Sequence, residues 1–505
     1  MERVIDCFLP YIDAEQTLRT AEALLAEKEI ANVCLLATKA NAEPIEGCSM
    51  LVVEDFTSTA TVKAIAAHAQ SEFTLVYNKH EMLLFGYKAL QRMVIVARDI
   101  DAGMVYADHY NYADGELQKS PVIDYQEGSL RDDFDFGSVI LYNTEKLKEA
   151  ASRMTANYKA AGNYDLHLKL SQKYAIEHIP EYLYTDVVCD TRSSGERIYD
   201  YCDPKNNASQ KEMEEACTEH LKVVGAYLEP TDFKDVDFDS EKFDVECTVV
   251  IPVLNRVRVI RDAIKSILSQ EAPFKYNLII VDNHSTDGTT EAIDEFAADE
   301  RLVHIIPDRN DLGIGGCWNL AINDSRCGKF AIGLDSDDVY ATPHTLEKMV
   351  AQFYKENAAM VCGTYVVTDV NLKEMAPGVI DHHEWTPDNG RNNLFHVNGV
   401  GGPRAFYTPI YRATNIPNTN YGEDYAMGLA ITRNYRMGRV YEVMTCARRW
   451  DDNTDANLDI FKENANNLYK DRIRTWELKA RINKNKNSAK KSEIDSLMGE
   501  KGIPP

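Results

Sequence analysis

The chain has 505 residues and a formal charge of −25 at pH 7, with 44% hydrophobic and 27% charged residues. This composition excludes a chain that is disordered throughout, because it can bury enough apolar surface to offset the entropy lost on folding. The acidic balance argues against a general nucleic-acid-binding protein, and no apolar run reaches the roughly 18 residues that a membrane-spanning helix needs. The length corresponds to about three domains.

Residues 1–13 predict a short strand and lack the basic, apolar and small-residue segments of a signal peptide. The eleven cysteines are scattered and odd in number, and no two of them form a CxxC pair. Several lie within apolar runs, as Cys34 and Cys362 do, which favours buried, reduced thiols. We therefore expect a cytoplasmic protein.

The first half of the chain contains short apolar runs that predict buried strands, such as Cys34–Thr38 and the beginning of Phe73–Met93. The segment 190–242 that follows is polar and acidic. It predicts a connector with one helix over Gln210–Val224 and a solvated linker.

The second half alternates strand-like runs with helical patterns. The β-branched run Cys247–Asn255 precedes a helical pattern over Arg258–Gln270. Strand, polar loop and helix then recur until a fourth strand ends in the acidic sequence LDSDD. This alternation predicts parallel βαβ units in a sheet that is covered on both faces. Because ligands bind beyond the carboxyl ends of such strands, Asp282 and Asp335 are candidate ligand-binding residues.

The two halves resemble each other in five segments that occur in the same order. Phe73–Met93 aligns with Phe330–Met349 with one inserted residue, and Pro10 aligns with Pro252. We interpret this as a duplication: two Rossmann-like α/β domains with mostly parallel sheets, in tandem, followed by a helical C-terminal tail. The predicted divisions are 1–189 for the first domain, 190–242 for the connector, 243–458 for the second domain and 459–505 for the tail.

The tail contains a basic segment, Lys470–Lys491, with nine Lys and Arg against two Asp and Glu. A solvated helix with a frayed end explains this pattern. Contact with an anionic membrane surface or with a partner protein is the alternative, because basic segments are attracted to anionic lipid.

Three carboxylates, those of Asp335, Asp337 and Asp338, lie within four residues at the end of the fourth strand of the second half. They repel one another unless a cation neutralises them. Mg²⁺ and Mn²⁺ prefer oxygen ligands and are often shared with substrate phosphates. By itself the cluster is also typical of a turn or a helix cap.

Four motifs of the second half occur in one order: PVLNR, VDNHSTDG, DLGIGGCWNLAI and LDSDD. Together they closely resemble the family 2 glycosyltransferases, which have the GT-A fold, and the resemblance covers Cys247–Trp450. It implies an inverting transfer of a sugar from a nucleotide-diphosphate sugar to an acceptor hydroxyl, with Mn²⁺ or Mg²⁺ as cofactor. The process it implies is surface glycan synthesis, with a glycan or lipid-linked glycan as acceptor.

By this resemblance, Asp335 and Asp337 bind the metal and the diphosphate, and Asp338 extends the pair. Asp424, in the motif YGEDYAMGLA, is the general base, and Glu423 is the fallback. Both of these acids would also suit the positive end of a helix dipole.

The resemblance also implies a donor-binding site with a basic and aromatic motif near its end. Its residues are Pro252, Asn255, Asp282, Asn283, Gly315, Gly316, Asn319, Asp335, Ser336, Arg448, Arg449 and Trp450. The family usually has an acid where this chain has Asn283, which leaves the nucleotide base open, because an amide donates as well as accepts. Arg404 is a candidate for the acceptor site, with a surface arginine as the alternative.

The first half lacks the pair of carboxylates that would hold a metal and a diphosphate in the second. The residues aligned with the acids of the second half are Thr38, Asn78, His80 and Glu81, with Asp165 on the position of Asp424. We therefore predict that the first half is a degenerate GT-A-like domain without metal-dependent transferase activity.

Two alternative functions stay open. A sugar nucleotidyltransferase would need a glycine-rich loop with a basic residue after the first strand, whereas PVLNRVRVIRD has Arg256 and Arg258 but no glycine. The other alternative is a non-catalytic scaffold that binds a glycan or a partner. Assembly into a homo-oligomer, and peripheral contact of the tail with the inner face of the membrane, also stay open.

Overall fold

The computed structural model describes residues 3–38, 42–79, 82–113, 115–187, 192, 197, 199–200, 203–450 and 458–500. The chain divides into two compact units. Unit 1 comprises 1–193, 204–227 and 458–482, and unit 2 comprises 194–203, 228–457 and 483–505. The helix predicted in the connector therefore belongs to unit 1.

Unit 1 is built on a nine-stranded sheet. Its strands are β1 (Ile5–Tyr11), β2 (Ile30–Ala37), β3 (Cys48–Val52), β4 (Phe73–Tyr77), β5 (Leu84–Phe85), β6 (Met104–Ala113), β7 (Glu116–Ser120), β8 (Val139–Asn143) and β9 (Ile176–Val187). Its helices are α1 (Ala14–Ala26), α2 (Thr59–His68), α3 (Ala89–Asp99), α4 (Thr144–Ser152), α5 (Gly162–Ser171) and α6 (Asn207–Val224), with a 3₁₀ turn over Pro204–Asn206.

The strands of unit 1 follow the order β3-β2-β1-β4-β8-β6-β9-β5, with β7 paired to β6. The pairs among β1, β2, β3 and β4 are parallel, and β8 is antiparallel to both of its neighbours. Side chains of β1 alternate between two hydrophobic clusters: Ile5, Cys7 and Leu9 enter one, and Phe8 enters the other. Both faces of the sheet are thus covered, which is why its central strands are mostly apolar.

Unit 2 is built on a second nine-stranded sheet. Its strands are β10 (Cys247–Val253), β11 (Tyr276–Asp282), β12 (Leu302–Ile305), β13 (Phe330–Gly333), β14 (Val339–Tyr340), β15 (Ala358–Thr368), β16 (Glu374–Ile380), β17 (Arg404–Tyr407) and β18 (Arg436–Arg448). Its helices are α7 (Ile260–Leu268), α8 (Thr289–Asp294), α9 (Ile314–Asn323), α10 (Thr345–Glu356), α11 (Gly390–Asn393), α12 (Thr408–Thr414) and α13 (Glu423–Thr432).

The sheet of unit 2 has the order β12-β11-β10-β13-β17-β15-β18-β14, with β16 paired to β15. Strand for strand this is the order of unit 1, so the predicted fold of two α/β domains in tandem is confirmed. The prediction of mostly parallel sheets is wrong, because the strands that follow the first βαβ units pair largely antiparallel: four of the eight strand pairs of unit 2 are antiparallel, and so are four of the eight in unit 1. In unit 2, Val253 pairs with Asp282 and Val250 pairs with Gly333 in parallel register. Asp282 and the loop after Gly333 therefore reach the same edge of the sheet, at the carboxyl ends of the strands.

The tail forms one long helix, α14 (Ile460–Glu500). Arg474 and Arg481 are fully buried and pair with Asp471 at 2.9 Å and with Glu477 at 2.8 Å, respectively. The prediction of a solvated basic helix is wrong for this part of the tail, because acids one turn earlier neutralise its arginines.

None of the helices in the described ranges combines the length and the apolar character needed to cross a bilayer. The nine cysteines within those ranges are free thiols, as predicted, and most of them are buried.

Candidate active site

The acidic loop after β13 is a tight turn in unit 2. The backbone amide of Asp338 donates to the carbonyl oxygen of Asp335 at 3.0 Å, and Ser336 inside the turn is buried. Asp335 is exposed, and Asp337 is half-buried. The turn therefore gathers three carboxylates over one bend of the chain.

Arg448, at the end of β18, holds this loop in place. Its amide donates to Oδ1 of Asp338 at 2.9 Å, and its guanidinium donates to the carbonyl oxygen of Asp337. The same guanidinium pairs with Asp262 on α7 at 3.0 Å and is 3% exposed. Arg448 thus positions the acidic loop, whereas the resemblance implies that it binds the donor directly.

Negative charge is concentrated in the loop. Burial, together with repulsion from Asp337 and Asp335, raises the pKa of Asp338 well above its ordinary range. No group of three or more His, Cys, Asp or Glu side chains within the described residues forms a complete metal cage. Asp335 and Asp337 nevertheless fit Mg²⁺ or Mn²⁺, because such ions accept one or two carboxylates and complete their shell with water and substrate phosphates. Asp338, with one oxygen engaged by Arg448, fits a supporting role.

Two arginines after β10 lie near residues of the predicted site. Arg256, which the donor-site prediction missed, has its Nε 3.9 Å from Oδ2 of Asp337. Arg256 directly follows the motif PVLN, and this position could have marked it as a candidate site residue. The guanidinium of Arg258 lies over the ring of Trp450, 5.0 Å from the ring centroid.

Arg449 is positioned by contacts within unit 2. Its backbone amide donates to the carbonyl oxygen of Thr368 at 2.7 Å, and its guanidinium donates to the hydroxyl of Tyr199. The guanidinium also lies 5.5 Å from the centroid of the Tyr199 ring.

Asp282 is fully buried at the end of β11, and its oxygens are occupied by the loop that follows. It accepts from the amide of Ser285 at 3.0 Å and from the hydroxyl of Thr290, and Nε2 of His304 lies 3.7 Å away. Burial alone would raise the pKa of Asp282, but these neighbours outweigh it and hold that pKa below its ordinary range. Asp282 therefore shapes the loop at the strand end.

Asn283 is the residue of this loop with an acceptor to spare. Its Nδ2 donates to the carbonyl oxygen of Leu312 at 2.9 Å, whereas its Oδ1 is buried and has no hydrogen-bond partner among the described residues. Across the loop, Asn255 has a φ of 55° and accepts from the amide of Thr286 at 2.8 Å. The backbone amide of Asn283 donates to the carbonyl oxygen of Val253 at 2.8 Å, next to Pro252, the half-buried proline of β10.

Gly315 and Gly316, on α9, allow the loop 417–420 to approach the helix. A Cβ on Gly315 would collide with the carbonyl oxygen of Pro417, and one on Gly316 would collide with Asn418. Asn319 of the same helix donates to the carbonyl oxygen of Ile416 at 2.8 Å. The resemblance assigns these residues to donor binding, and their contacts in the structure position the loop that leads into α13.

The start of α13 brings Glu423 and Asp424 to the edge of the sheet at which the acidic loop lies. Nη1 of Arg404 lies 3.0 Å from Oδ2 of Asp424, and both side chains are 26% exposed. Burial would lower the pKa of Arg404, but the charges of Asp424 and Asp335 outweigh it and raise that pKa above its ordinary range. Arg404 thus lies among acids that come from two separate segments, the acidic loop and the start of α13.

Glu423 is buried beside this cluster. Burial, and then the negative charge of Asp424, raise the pKa of Glu423 to about 7 from an ordinary value of 4.5. Between these values the folded protein keeps a proton that the unfolded chain has lost. The free energy of unfolding therefore falls as pH rises through this window.

We expect the variant Glu423→Gln to lose this pH dependence. Between pH 5 and pH 8, without divalent cations, the wild type should lose up to about 3 kcal/mol more of its free energy of unfolding than the variant. Urea unfolding at the two pH values measures the difference. The variant Glu291→Gln, at an exposed glutamate on α8, should behave as the wild type; equal slopes for Glu423→Gln and the wild type would contradict the expectation.

The counterpart of Asp282 in unit 1 follows from the strand register. Tyr11 pairs with Ala37 as Val253 pairs with Asp282. Ala37, and not Thr38 as predicted, therefore occupies the position of Asp282. Of the residues aligned with the acidic loop, Asn78 follows β4, and His80 and Glu81 lie outside the described residues.

The counterpart of Asp424 follows from the start of the helices. α5 begins at Gly162 as α13 begins at Glu423, and two residues later the hydroxyls of Tyr164 and Tyr425 both donate to a backbone carbonyl. Asn163 therefore occupies the position of Asp424.

The alignment of Asp165 with Asp424 is wrong by two residues, because repeats that differ this much in sequence leave the register ambiguous. Asp165 is instead buried, 3.6 Å from Nζ of Lys169.

Residues 248–412 match the family model described as Glycosyl transferase family 2. An uncharacterized glycosyltransferase of Haemophilus influenzae is 26% identical over 200 residues, which are 37% of this chain and 60% of the relative. GlyG, a glycosyltransferase of Streptococcus pneumoniae, is 27% identical over 118 residues, covering 23% of this chain and 38% of GlyG. TuaG of Bacillus subtilis, whose name assigns it to teichuronic acid biosynthesis, is 31% identical over 91 residues, covering 18% and 35%. The chain thus spans less than two thirds of the length of each of these relatives.

Two solved structures are also similar. The Staphylococcus aureus protein TarS, residues 1–349 in complex with UDP-GlcNAc, has a TM-score of 0.37 and 15% identity, covering 47% of this chain and 72% of that one. The mannosyltransferase PcManGT of Pyrobaculum calidifontis, in complex with GDP-Man and Mn²⁺, has a TM-score of 0.33 and 16% identity, covering 58% and 90%.

Proposed function

Because residues 248–412 form a family 2 glycosyltransferase domain, we propose that unit 2 transfers a sugar from a nucleotide-diphosphate sugar to an acceptor hydroxyl, with inversion at the anomeric carbon. The observation that carries the proposal is the convergence of two acid-bearing loops. The loop with Asp335 and the helix start with Asp424 lie close enough that both charges act on the guanidinium of Arg404. A displacement at carbon needs this combination of a site for the leaving group and a base for the acceptor.

The leaving group is assigned to the acidic loop. Asp335 and Asp337 would hold Mg²⁺ or Mn²⁺, and Arg448 fixes the loop that carries them. When bound, the ion would supply positive charge to the diphosphate of the donor. Arg256, near Asp337, adds a second positive charge that stays with the protein.

The base is assigned to Asp424. Arg404 lies 3.0 Å from one of its carboxylate oxygens and orients it, and the half-exposed position leaves room for an acceptor. As the acceptor oxygen bonds to the anomeric carbon, the bond from that carbon to the diphosphate oxygen breaks, and the hydroxyl proton passes to Asp424. Glu423 is the weaker candidate, because its side chain is buried, whereas that of Asp424 is partly exposed.

The nucleotide base is assigned to the neighbourhood of Asn283. Its buried Oδ1 lacks a partner among the described residues, and its Nδ2 is already engaged. A base that turns an N–H group toward Asn283 would satisfy this acceptor.

The acceptor is assigned to the glycans. The name of TuaG refers to teichuronic acid biosynthesis, and this supports a surface glycan or a lipid-linked glycan. In this assignment Arg404 acts on the acceptor through Asp424.

Incubation of the full chain with UDP-sugars and GDP-sugars tests the proposal. In the presence of Mn²⁺ we expect one donor to release nucleotide, and addition of EDTA to stop the release. Detection of UDP or GDP by chromatography measures it. Release of nucleotide at an equal rate with EDTA, or from none of the donors, would contradict the proposal.

A further inference from the structure

Unit 1 contains a cavity of about 220 Å³ at the carboxyl ends of β1, β2 and β4. Every described residue that lines it is uncharged. The polar side chains among them include Asn78 and Thr57, which are exposed, and Asn163, which is half-buried. The polar end of the cavity therefore meets solvent, and its inner walls are apolar.

The corresponding space in unit 2 is filled by the indole of Trp318. A Cβ on Gly333 would lie 2.7 Å from Cζ2 of Trp318, and the indole also packs against the rings of Phe406 and Tyr411. These three neighbours of Trp318 belong to β13, β17 and α12.

Helix α2 of unit 1 carries Val62 at the position of Trp318. The backbone amide of Thr59 donates to the carbonyl oxygen of Tyr158. In unit 2 the backbone amide of Gly315 makes the equivalent bond to the carbonyl oxygen of Thr419. Val62 lies three residues after Thr59, as Trp318 lies three residues after Gly315. The smaller side chain of Val62 therefore leaves a space beside it.

The walls of the cavity agree with this origin. Strand register and helix starts place Val76, Tyr142 and Leu147 at the positions of the three neighbours of Trp318. All three line the cavity. The indole of Trp318 thus fills the core of unit 2, and the equivalent space in unit 1, beside Val62, is open.

The groups at the mouth of the cavity have changed from acids to amides. Asn78 stands at the position of Asp335, and Asn163 stands at the position of Asp424. Within the described residues, neither the side chain of Asn78 nor that of Asn163 has a hydrogen-bond partner. Each can donate and accept without a charge, which suits the hydroxyl groups of a neutral ligand.

Unit 1 has Lys79 at the position of Ser336, and the positive charge of Lys79 is neutralised within the unit. Lys79, which follows Asn78, has its Nζ 2.9 Å from Oδ2 of the fully buried Asp186. The hydroxyl of Ser138 donates to the same carboxylate oxygen at 2.5 Å. Because its ammonium is already paired, Lys79 does not offer the positive charge that a diphosphate needs.

The size of the cavity limits the ligand to one ring. A protein cavity of roughly 150 Å³ holds benzene, so 220 Å³ holds a six-membered ring with a few substituents but not a nucleotide. A pyranose has apolar C–H faces for the walls and hydroxyls for the two asparagines. We propose that unit 1 binds one neutral pyranose ring in this cavity, without transferring it. The site does not depend on the function proposed for unit 2.

Saturation-transfer-difference NMR on the full chain tests this site. The probes are free D-glucose, D-galactose, D-mannose and N-acetyl-D-glucosamine at millimolar concentration, with UDP and Mn²⁺ present to occupy a donor site in unit 2. We expect transfer to the ring protons of at least one sugar. Val62→Trp, which restores the large side chain, should abolish the transfer, and Val223→Trp, the same change at an exposed position on α6, should leave it unchanged.

A second variant keeps the test valid if Val62→Trp fails to fold by circular dichroism. Asn163→Ala leaves the cavity open and should weaken binding about fivefold, which corresponds to the loss of one hydrogen bond. No transfer to any of the four sugars would overturn the proposal. Transfer that persists undiminished in a folded Val62→Trp, or in Asn163→Ala, would also overturn it.

Discussion

Replacement of Asp337 by alanine will reduce nucleotide release from the donor by at least about 100-fold, because several kcal/mol of leaving-group stabilisation are lost with the second metal-binding carboxylate. The fold should survive, because Arg448 holds the loop through the backbone carbonyl of Asp337 and through Asp338. The residual rate should no longer respond to Mn²⁺. A titration of the rate with Mn²⁺ for wild type and variant provides the measurement.

The matched control is Asp299→Ala. Asp299 is also a partly exposed aspartate of unit 2, paired with Arg301 at 2.7 Å, but it precedes β12 and lies away from the carboxyl ends of the strands. This variant should keep the wild-type rate within about twofold, as expected when the ion pair it removes is worth at most about 1 kcal/mol. If Asp337→Ala keeps a rate that rises with Mn²⁺ as in the wild type, the metal site lies elsewhere.

Replacement of Asp424 by asparagine will keep donor binding and lose transfer. Loss of a general base typically lowers a rate by about 100-fold to 10,000-fold, and asparagine keeps the size of the side chain but cannot take a proton. Isothermal titration of UDP with Mn²⁺ should give an affinity within about threefold of the wild type, because the change spares the leaving-group site. Transfer rates at saturating donor, with simple glycans as acceptors, complete the measurement.

Glu423→Gln is the comparison that separates the two candidate bases. It removes the neighbouring carboxylate and should cost much less than Asp424→Asn. The reverse order, with a large loss in Glu423→Gln and little change in Asp424→Asn, would assign the base to Glu423. Equal and complete loss of UDP binding in both variants would instead indicate that the start of α13 serves only the structure.

The division into repeated α/β halves could be predicted from the sequence, because it depends on local patterns. Apolar strand runs, helical periodicity and residues at strand ends are each visible over a few consecutive positions. The acidic loop after β13 was found for this reason, and so was the edge of the sheet at which Asp282 and Asp335 meet.

The roles of individual site residues depend on contacts with residues that are distant in sequence. From the sequence, Arg448 is a candidate for binding the diphosphate. Its contacts with Asp262 and with the acidic loop are visible only in the structure. The resemblance assigns Gly315 to the donor site, and only the structure shows that Pro417 lies against it. Such contacts join segments separated by a hundred residues or more, and no local pattern encodes them.

The fold class, the duplication and the acids at the strand ends of unit 2 could be predicted from local sequence patterns. The pairing of Arg404 with Asp424 became evident only in the folded chain. The same holds for Asn163 at the position of Asp424 and for the cavity beside Val62. Residue type and spacing set local structure and charge, whereas hydrogen bonds and packing depend on which distant side chains the sheet brings together.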